Sequence, residues 1–406
     1  MTDPTHAARP SIGWPFILML GLTTAITPLA MSIHIQSIPA IASDLETSYG
    51  AAQLTVSLFL FTFAFAQIFV GPMSDRFGRR PVLFAGMGIF AFGSLLAAVA
   101  PTIEIMIAAR LLQAAGGCVS LITPRAVIQD RFSGLEAARV LGLVSMIQSS
   151  SPIMAPAVGG VIDTLFGWHA IFLFLAVYAI GIVVVSYVRL PETLPKEGGL
   201  AQSWPTILSR YGRLLRNRRY LAYVFAFGMG TTGYFGFLAS GPAVMIDGMG
   251  LAAWQFSLIL CTIALHFPIS QYLGTWIVMR AGIDRVLLVG AIVQLVSVVA
   301  FAIAAQSPTV VGITFAMCIY AVSNGLIFAN ALAGAIGVDP RIAGSAASLL
   351  GATQFIVGGI TAATAANLPT ENFGAFPWIL GVLAIGTFVS VLATAAFARD
   401  PPRRAD

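Results

Sequence analysis

Four stretches of the sequence hold side chains able to do chemistry in surroundings that otherwise offer none. The first is Gly71-Pro72-Met73-Ser74-Asp75-Arg76-Phe77-Gly78-Arg79-Arg80, an acid at a helix end followed by three arginines. Its glycines permit a tight turn and close helix approach, and its charges can build a network at a membrane face. The second, Ala109-Arg110-Leu111-Leu112-Gln113-Ala114-Ala115-Gly116-Gly117, buries an arginine in an apolar run. A charge at that depth is costly unless it meets a wet cavity or a partner, which favours function over a structural arginine tying carbonyls together. Gln113 shares its helix face. The third, Ser151 to Gly160, sets Pro152, Pro156 and Gly159 on one stripe with Asp163, where prolines bend the helix and glycines admit a neighbouring backbone; generic small-residue packing is the alternative. The fourth, Pro28 to Gln36, contains His34, a group that can exchange protons near neutral pH, although a hydrogen-bonded packing histidine is commoner.

These residues are positioned by elements that only a membrane can hold. The chain has 406 residues, 58% hydrophobic and 9% charged, against about a quarter charged in soluble domains. Apolar runs long enough to cross roughly 30 Å of hydrocarbon fall at about 13–38, 50–72, 81–101, 103–125, 140–162, 168–188, 220–245, 254–278, 286–306, 308–333, 342–365 and 374–397. The first is too long for a secretory signal and is expected to remain as an uncleaved helix, with head and tail too short to fold. Cys118, Cys261 and Cys318 lie apart in apolar runs and read as small packing residues, without a metal or redox pattern.

The net charge of +5 belongs to topology rather than to nucleic acid. With a cytoplasmic N-terminus, every Lys and Arg except Arg110 falls on the cytoplasmic side, while Asp44, Glu46, Glu104, Asp163, Asp247 and Glu371 fall outside. Both termini are then expected in the cytoplasm. The basic segment from Arg189 to Arg219, with Lys196, Arg210, Arg213, Arg216 and Arg218, divides the spans six and six, and Trp204 to Leu215 has the spacing of an amphipathic helix on an anionic leaflet. The expected organisation is a bundle over 1–190, a cytoplasmic linker over 191–219 and a second bundle over 220–406, two pseudo-symmetric six-helix bundles of an all-α membrane protein. Arg76-Phe77-Gly78 is echoed by Arg280-Ala281-Gly282 after the eighth span.

The G-x-x-x-D-R-x-G-R-R pattern between the second and third spans resembles the signature loop of the major facilitator superfamily. The resemblance implies that Gly71, Asp75, Arg76, Gly78, Arg79 and Arg80 form a conformational latch, with Asp130, Arg131 and Arg139 as partners in the next loop on that side. Arg110 and Gln113 resemble the R-x-x-Q-G motif of drug/proton antiporters, with Ala114 at the usual glycine, which implies a role for Arg110 in proton transfer. Pro152, Pro156, Gly159 and Gly160 resemble the fifth-helix antiporter motif G-P-x-x-G-G, with Ala155 at its first glycine. With Pro191-Glu192-Thr193-Leu194 and Ala343-Gly344-Ser345-Ala346, most of the chain resembles the bicyclomycin/chloramphenicol-resistance branch of twelve-helix drug/proton antiporters. The branch usually has an acid, then M-Y-L-P, after the first-helix proline; Ser32 stands in its place, and His34, two residues on and so nearly opposite on a helix, is the nearest titratable substitute. His266 is the weaker candidate.

The superfamily lines its pathway with helices one, four, seven and ten, which implies a cavity drawn from Ser32, Gln36, Gln113, Tyr223, Phe227, Tyr234, Asn324 and Phe328 beside Arg110. The aromatic stripe of Tyr223, Phe227 and Tyr234 also suits plain packing. The implied activity is proton-driven export of small apolar or neutral drugs by alternating access in a bacterial inner membrane, by a monomer that needs no cofactor. A symporter or metabolite exporter of the same fold is the alternative. Scattered histidines at 6, 34, 169 and 266 argue against a membrane enzyme, the want of a filter-like loop or output domain against a channel or receptor, and the absence of a Gly-rich loop ending in Lys-Ser/Thr against nucleotide use.

Overall fold

The computed structural model describes residues 13–132, 134–193, 204–339, 342–367 and 373–397. Arg9, Leu194, Lys196 and Glu371 lie outside the described residues. Apolar runs in lipid must satisfy every backbone group internally, and the chain does so as helices. Twelve are long and apolar enough to span a membrane: Trp14–Asp44, Tyr49–Phe77, Arg79–Ala98, Ile103–Arg131, Arg139–Phe166, Trp168–Arg189, Arg218–Gly248, Ala253–Ala281, Ile283–Gln306, Val310–Val338, Gly344–Ala366 and Phe376–Phe397, here spans 1 to 12.

Several spans exceed the apolar runs that announce them. Span 2 has 29 residues, about 44 Å of helix, so its last turns stand clear of roughly 30 Å of hydrocarbon and carry Asp75 and Arg76 into the headgroup layer. The expected loop after it is therefore mostly helix, and the chain reverses at Gly78 alone, with φ 102° and ψ 150°. Gly282, between spans 8 and 9, repeats this with φ 80° and ψ 162°. Only glycine adopts this region readily, which gives the sequence echo its physical cause.

Span 1 departs from a single helix. Its first part ends at Ser32, a short 3₁₀ turn covers Ile35–Ser37, and Ile38–Asp44 resumes the helix. Pro39 sits in the first turn of that last piece, where a missing N–H costs least. The placement of His34 opposite Ser32 on a continuous helix is thereby overturned, because the helix stops between them.

Packing repeats between the halves. Span 1 packs on 5 as 7 packs on 11, span 3 on 4 and 6 as 9 on 10 and 12, and span 2 on 4 as 8 on 10. Across the halves, span 2 meets 11 and span 5 meets 8. One apolar core is built almost wholly within spans 1 to 6, and another, around Tyr220, Phe227 and Ile327, within the second half. A third joins Ile35, Ile38, Val56 and Leu60 to Phe237, Met245, Phe256 and Leu260, at the end bearing Asp44 and Asp247. The halves thus share an apolar core at the acid-bearing end, whereas toward the arginine-rich end each keeps its own.

A helix, Trp204–Arg216, precedes span 7. Leu214 buries itself beneath it, and the Asn217 side chain caps span 7 by accepting from the Tyr220 N–H at 3.0 Å.

Candidate functional site

Span 4 approaches span 3 closely at Gly93, where a Cβ would lie 2.8 Å from the Ala109 carbonyl and the Gln113 amide. That approach brings Gln113 Nε2 to 2.7 Å from Ser94 Oγ, to which it donates. Gln113 Oε1 in turn accepts from Arg110 Nη1. Arg110 is fully buried; its Nη2 donates to the Ala30 carbonyl at 3.3 Å and its Nε to the Thr55 carbonyl at 3.4 Å. Phe59 covers the guanidinium at 4.2 Å and Phe172 lies at 5.9 Å. Every partner is neutral. Among the described residues no carboxylate pairs with Arg110, and the described acids lie at the span ends or in the short connections beside them.

The break in span 1 forms the neighbouring wall. His34 is fully buried, its ring 5.7 Å from that of Phe172, the same ring Arg110 approaches. The Ala30 carbonyl faces the imidazole as well as Arg110, yet among the described residues neither ring nitrogen reaches hydrogen-bonding geometry with any group. Ser32 Oγ turns back to the Pro28 carbonyl at 3.0 Å, and Gln36 Nε2 donates to the Ile33 carbonyl at 2.6 Å, leaving Gln36 Oε1 without a donor. Span 5 holds this break in place. A Cβ at Gly159 would collide with the Ile33 carbonyl and Gln36, so the antiporter-like glycine is demanded by a backbone contact. Gly160 instead faces Ser257 of span 8, across the halves. Pro152 and Pro156 lie inside the same helix.

The second half carries a polar cluster without charge. Tyr320 accepts from the Gly233 N–H at 2.8 Å and donates to the Gly230 carbonyl at 3.1 Å, inserting its hydroxyl into span 7. Gln354 Nε2 donates to Thr231 Oγ1 at 2.9 Å, Asn324 Nδ2 to the Thr231 carbonyl at 3.3 Å, and Gln294 Nε2 to the Gly230 carbonyl at 3.4 Å. Asn324 Oδ1, Gln294 Oε1 and Tyr234 Oη have no hydrogen-bond partner among the described residues. Phe227 and Phe328 pack with centroids 4.9 Å apart, with Phe267 5.5 Å from Phe328. Tyr223 does not join them. Its hydroxyl donates to Asp284 Oδ1 at 2.8 Å beside Arg219, which makes it a strut at the arginine-rich end and removes it from the expected cavity.

At that end the first half places Arg79 in the middle of the network. Its Nη1 binds both Asp75 and Ser74, and its Nε donates to Asp130 Oδ2 at 3.0 Å. Thr193 Oγ1 donates to the same carboxylate oxygen at 2.9 Å, and Glu192 accepts from the backbone N–H groups of Arg79 and Arg80 at 2.9 and 3.1 Å. The other expected arginines lie outside this ion triad: Arg76 stacks on Phe77, Arg131 on Phe16, and Arg80 donates to the Tyr187 carbonyl between the rings of Phe84 and Tyr187. Gly71 has open space where a Cβ would stand, so no close approach requires it.

The acid-bearing end is closed by direct bonds between halves. Tyr49 Oη and Gln53 Nε2 of span 2 both donate to the Ala239 carbonyl of span 7, at 2.8 and 2.5 Å. Sequence reasoning missed these two residues, and also Gln294, Tyr320 and Gln354. An amide inside an apolar span was the available signal for the glutamines.

Two six-span halves with repeated packing, a break in span 1 beside the fully buried Arg110, and direct bonds between the halves at one end define a membrane transporter. The chain belongs to the Major Facilitator Superfamily, whose family model matches residues 20–363. It is a secondary transporter and not an enzyme. It is 27% identical over 383 residues to a bicyclomycin resistance protein homolog of Haemophilus influenzae, covering 93% of this chain and 94% of that protein. With multidrug resistance protein D of Escherichia coli it shares 28% identity over 385 residues, 91% and 93% of the two chains. The fold is that of a solved D-xylose-proton symporter, with TM-score 0.76 at 13% identity over 94% and 97% of the chains.

Proposed function

We propose that this transporter exports small apolar or neutral drugs, antibiotics among them, in exchange for protons across a bacterial inner membrane. The observation that carries this reading is Arg110: fully buried, held by neutral groups only, and set beside the broken first helix and His34. A buried ionic group is retained where it serves an ion or substrate path, and a fixed positive charge disfavours cationic drugs. The relatives named for bicyclomycin and multidrug resistance support the substrate class. The arginine-rich end is cytoplasmic by the bias of basic residues, with both termini on that side, so the sealed end is the outer one. Residues 1–190 and 220–406 act as the two rocking bodies and 191–219 as their tether. Asp75, Arg79 and Asp130 serve as the latch, Arg110 with His34 as the coupling pair, and Ser32, Gln36, Gln113, Phe227, Tyr234, Asn324 and Phe328 as the pathway surface. The unit is a monomer.

The test is transport of a neutral phenicol in proteoliposomes bearing an imposed proton gradient, with wild type, Arg110→Ala and His34→Ala. Gradient-driven movement lost in the Arg110 variant is the expected result, and the His34 variant reports whether the imidazole replaces the missing acid. Flux indifferent to the gradient sinks proton antiport. Equal resistance of expressing cells to a lipophilic cation and to a phenicol sinks the neutral-substrate reading.

A further inference from the structure

Arg110 is a charge without a counter-charge. Its three partners, Gln113, the Ala30 carbonyl and the Thr55 carbonyl, satisfy donors but cancel nothing, and two of the bonds are long, at 3.3 and 3.4 Å against an ordinary 2.7–3.2 Å. Phe59 and Phe172 meet the guanidinium through their rings, a contact whose quadrupole attraction eases a cation without neutralising it. Guanidinium planes covered by rings bind through their in-plane N–H edge. Two of those N–H groups are loosely held, and the one directed at Ala30 points toward the wall occupied by His34. There a fully buried imidazole has both nitrogens unpartnered, and in either tautomer one of them is an N–H donor. Donors from two elements, one carrying a full positive charge, therefore converge around the Ala30 carbonyl, where no described residue supplies an acid. Ser32 Oγ turns away to the Pro28 carbonyl.

We propose that Arg110 and His34 form the binding site of a small monovalent anion, either an inorganic ion of the chloride class or a carboxylate carried by a substrate. The bound anion neutralises Arg110 and leaves a pathway fit for uncharged cargo when the anion is inorganic. The proposal does not depend on proton coupling, since it concerns equilibrium binding in the absence of any gradient.

The test uses the purified full chain in nanodiscs, in gluconate buffer at constant ionic strength, titrated with chloride and separately with benzoate while thermal unfolding is followed. A saturable rise of several degrees in wild type, lost in Arg110→Gln and weakened at least tenfold in apparent affinity in His34→Gln, is expected. A response to chloride identifies the inorganic ion; a response to benzoate alone identifies the carboxylate of a substrate. Radiolabelled chloride and benzoate binding to wild type gives a readout that needs no variant to fold. No saturable binding of either anion, or equal stabilisation of wild type and Arg110→Gln, overturns the proposal whatever proton-driven transport does.

Discussion

The two halves share a helix-packing plan and differ in chemistry at their centres. In the first, the polar centre is an arginine in a cage of amide, hydroxyl, carbonyl and rings, beside a histidine whose ring nitrogens have no hydrogen-bond partner among the described residues. In the second, the polar centre around Thr231 is built from Gln294, Tyr320, Asn324 and Gln354, all uncharged. Repeating a fold repeats its backbone contacts, because those depend on small residues and turn geometry; the side chains inside each half are free to diverge. On the proposed function, the coupling pair belongs to the first half alone, and the second half adds uncharged hydrogen-bonding groups to the pathway. The ion pairs at the arginine-rich end differ in the same sense. Arg79 is nearly buried between two carboxylates, whereas Arg219 and Asp284, 3.6 Å apart, remain about one third exposed.

Arg110→Ala is expected to break this comparison hardest. Proton-driven transport should fall by about two orders of magnitude, or ~2.7 kcal/mol at 1.36 kcal/mol per tenfold. In anion-free gluconate buffer thermal stability should hold or rise, because there the buried charge that is removed has no counter-charge. A parallel loss of folding would contradict the assignment. Arg79→Gln comes next: it leaves Asp75 and Asp130 facing each other without a cation and should cost about 2–3 kcal/mol in denaturant unfolding, between exposed and fully buried pairs. Asp284→Asn, its counterpart in the second half, should cost ~1 kcal/mol or less. Equal penalties would erase the distinction between the two ion pairs.

Gly159→Ala should cost about 1–3 kcal/mol by overpacking against the Ile33 carbonyl and should slow transport. Gly142→Ala in the same helix meets open space and should stabilise by about 0.5–1 kcal/mol, so the pair separates contact from helix propensity. The smallest effect is expected from Gln354→Ala. Loss of one neutral hydrogen bond should change phenicol affinity by about 3- to 10-fold while leaving the proton-gradient dependence intact. A change in that dependence would move coupling into the second half.

Much of the fold is legible in the sequence because the membrane allows so few solutions. Apolar length yields twelve helices, and the signature Gly78 and its echo at Gly282 mark the same reversal in each half. Arg110 and Gln113 are legible too, since a charge and an amide in an apolar run stand out from everything around them. Tyr223 was misleading. Helical spacing aligned it with Phe227 and Tyr234, but Asp284, 61 residues away, claims its hydroxyl. Arg79 was one of three equivalent arginines until Asp130 selected it.

The sequence by itself determined the solvent, the number of spans, the basic and acidic ends and the presence of a buried charge, all of which follow from composition and local spacing. Tertiary structure decided that the first helix unwinds at His34, that Gly159 bears on that break, and that the halves join at the acid-bearing end through Tyr49 and Gln53. Those outcomes depend on contacts between segments more than a hundred residues apart, where several helix registers satisfy the same apolar pattern and only the packed assembly selects one.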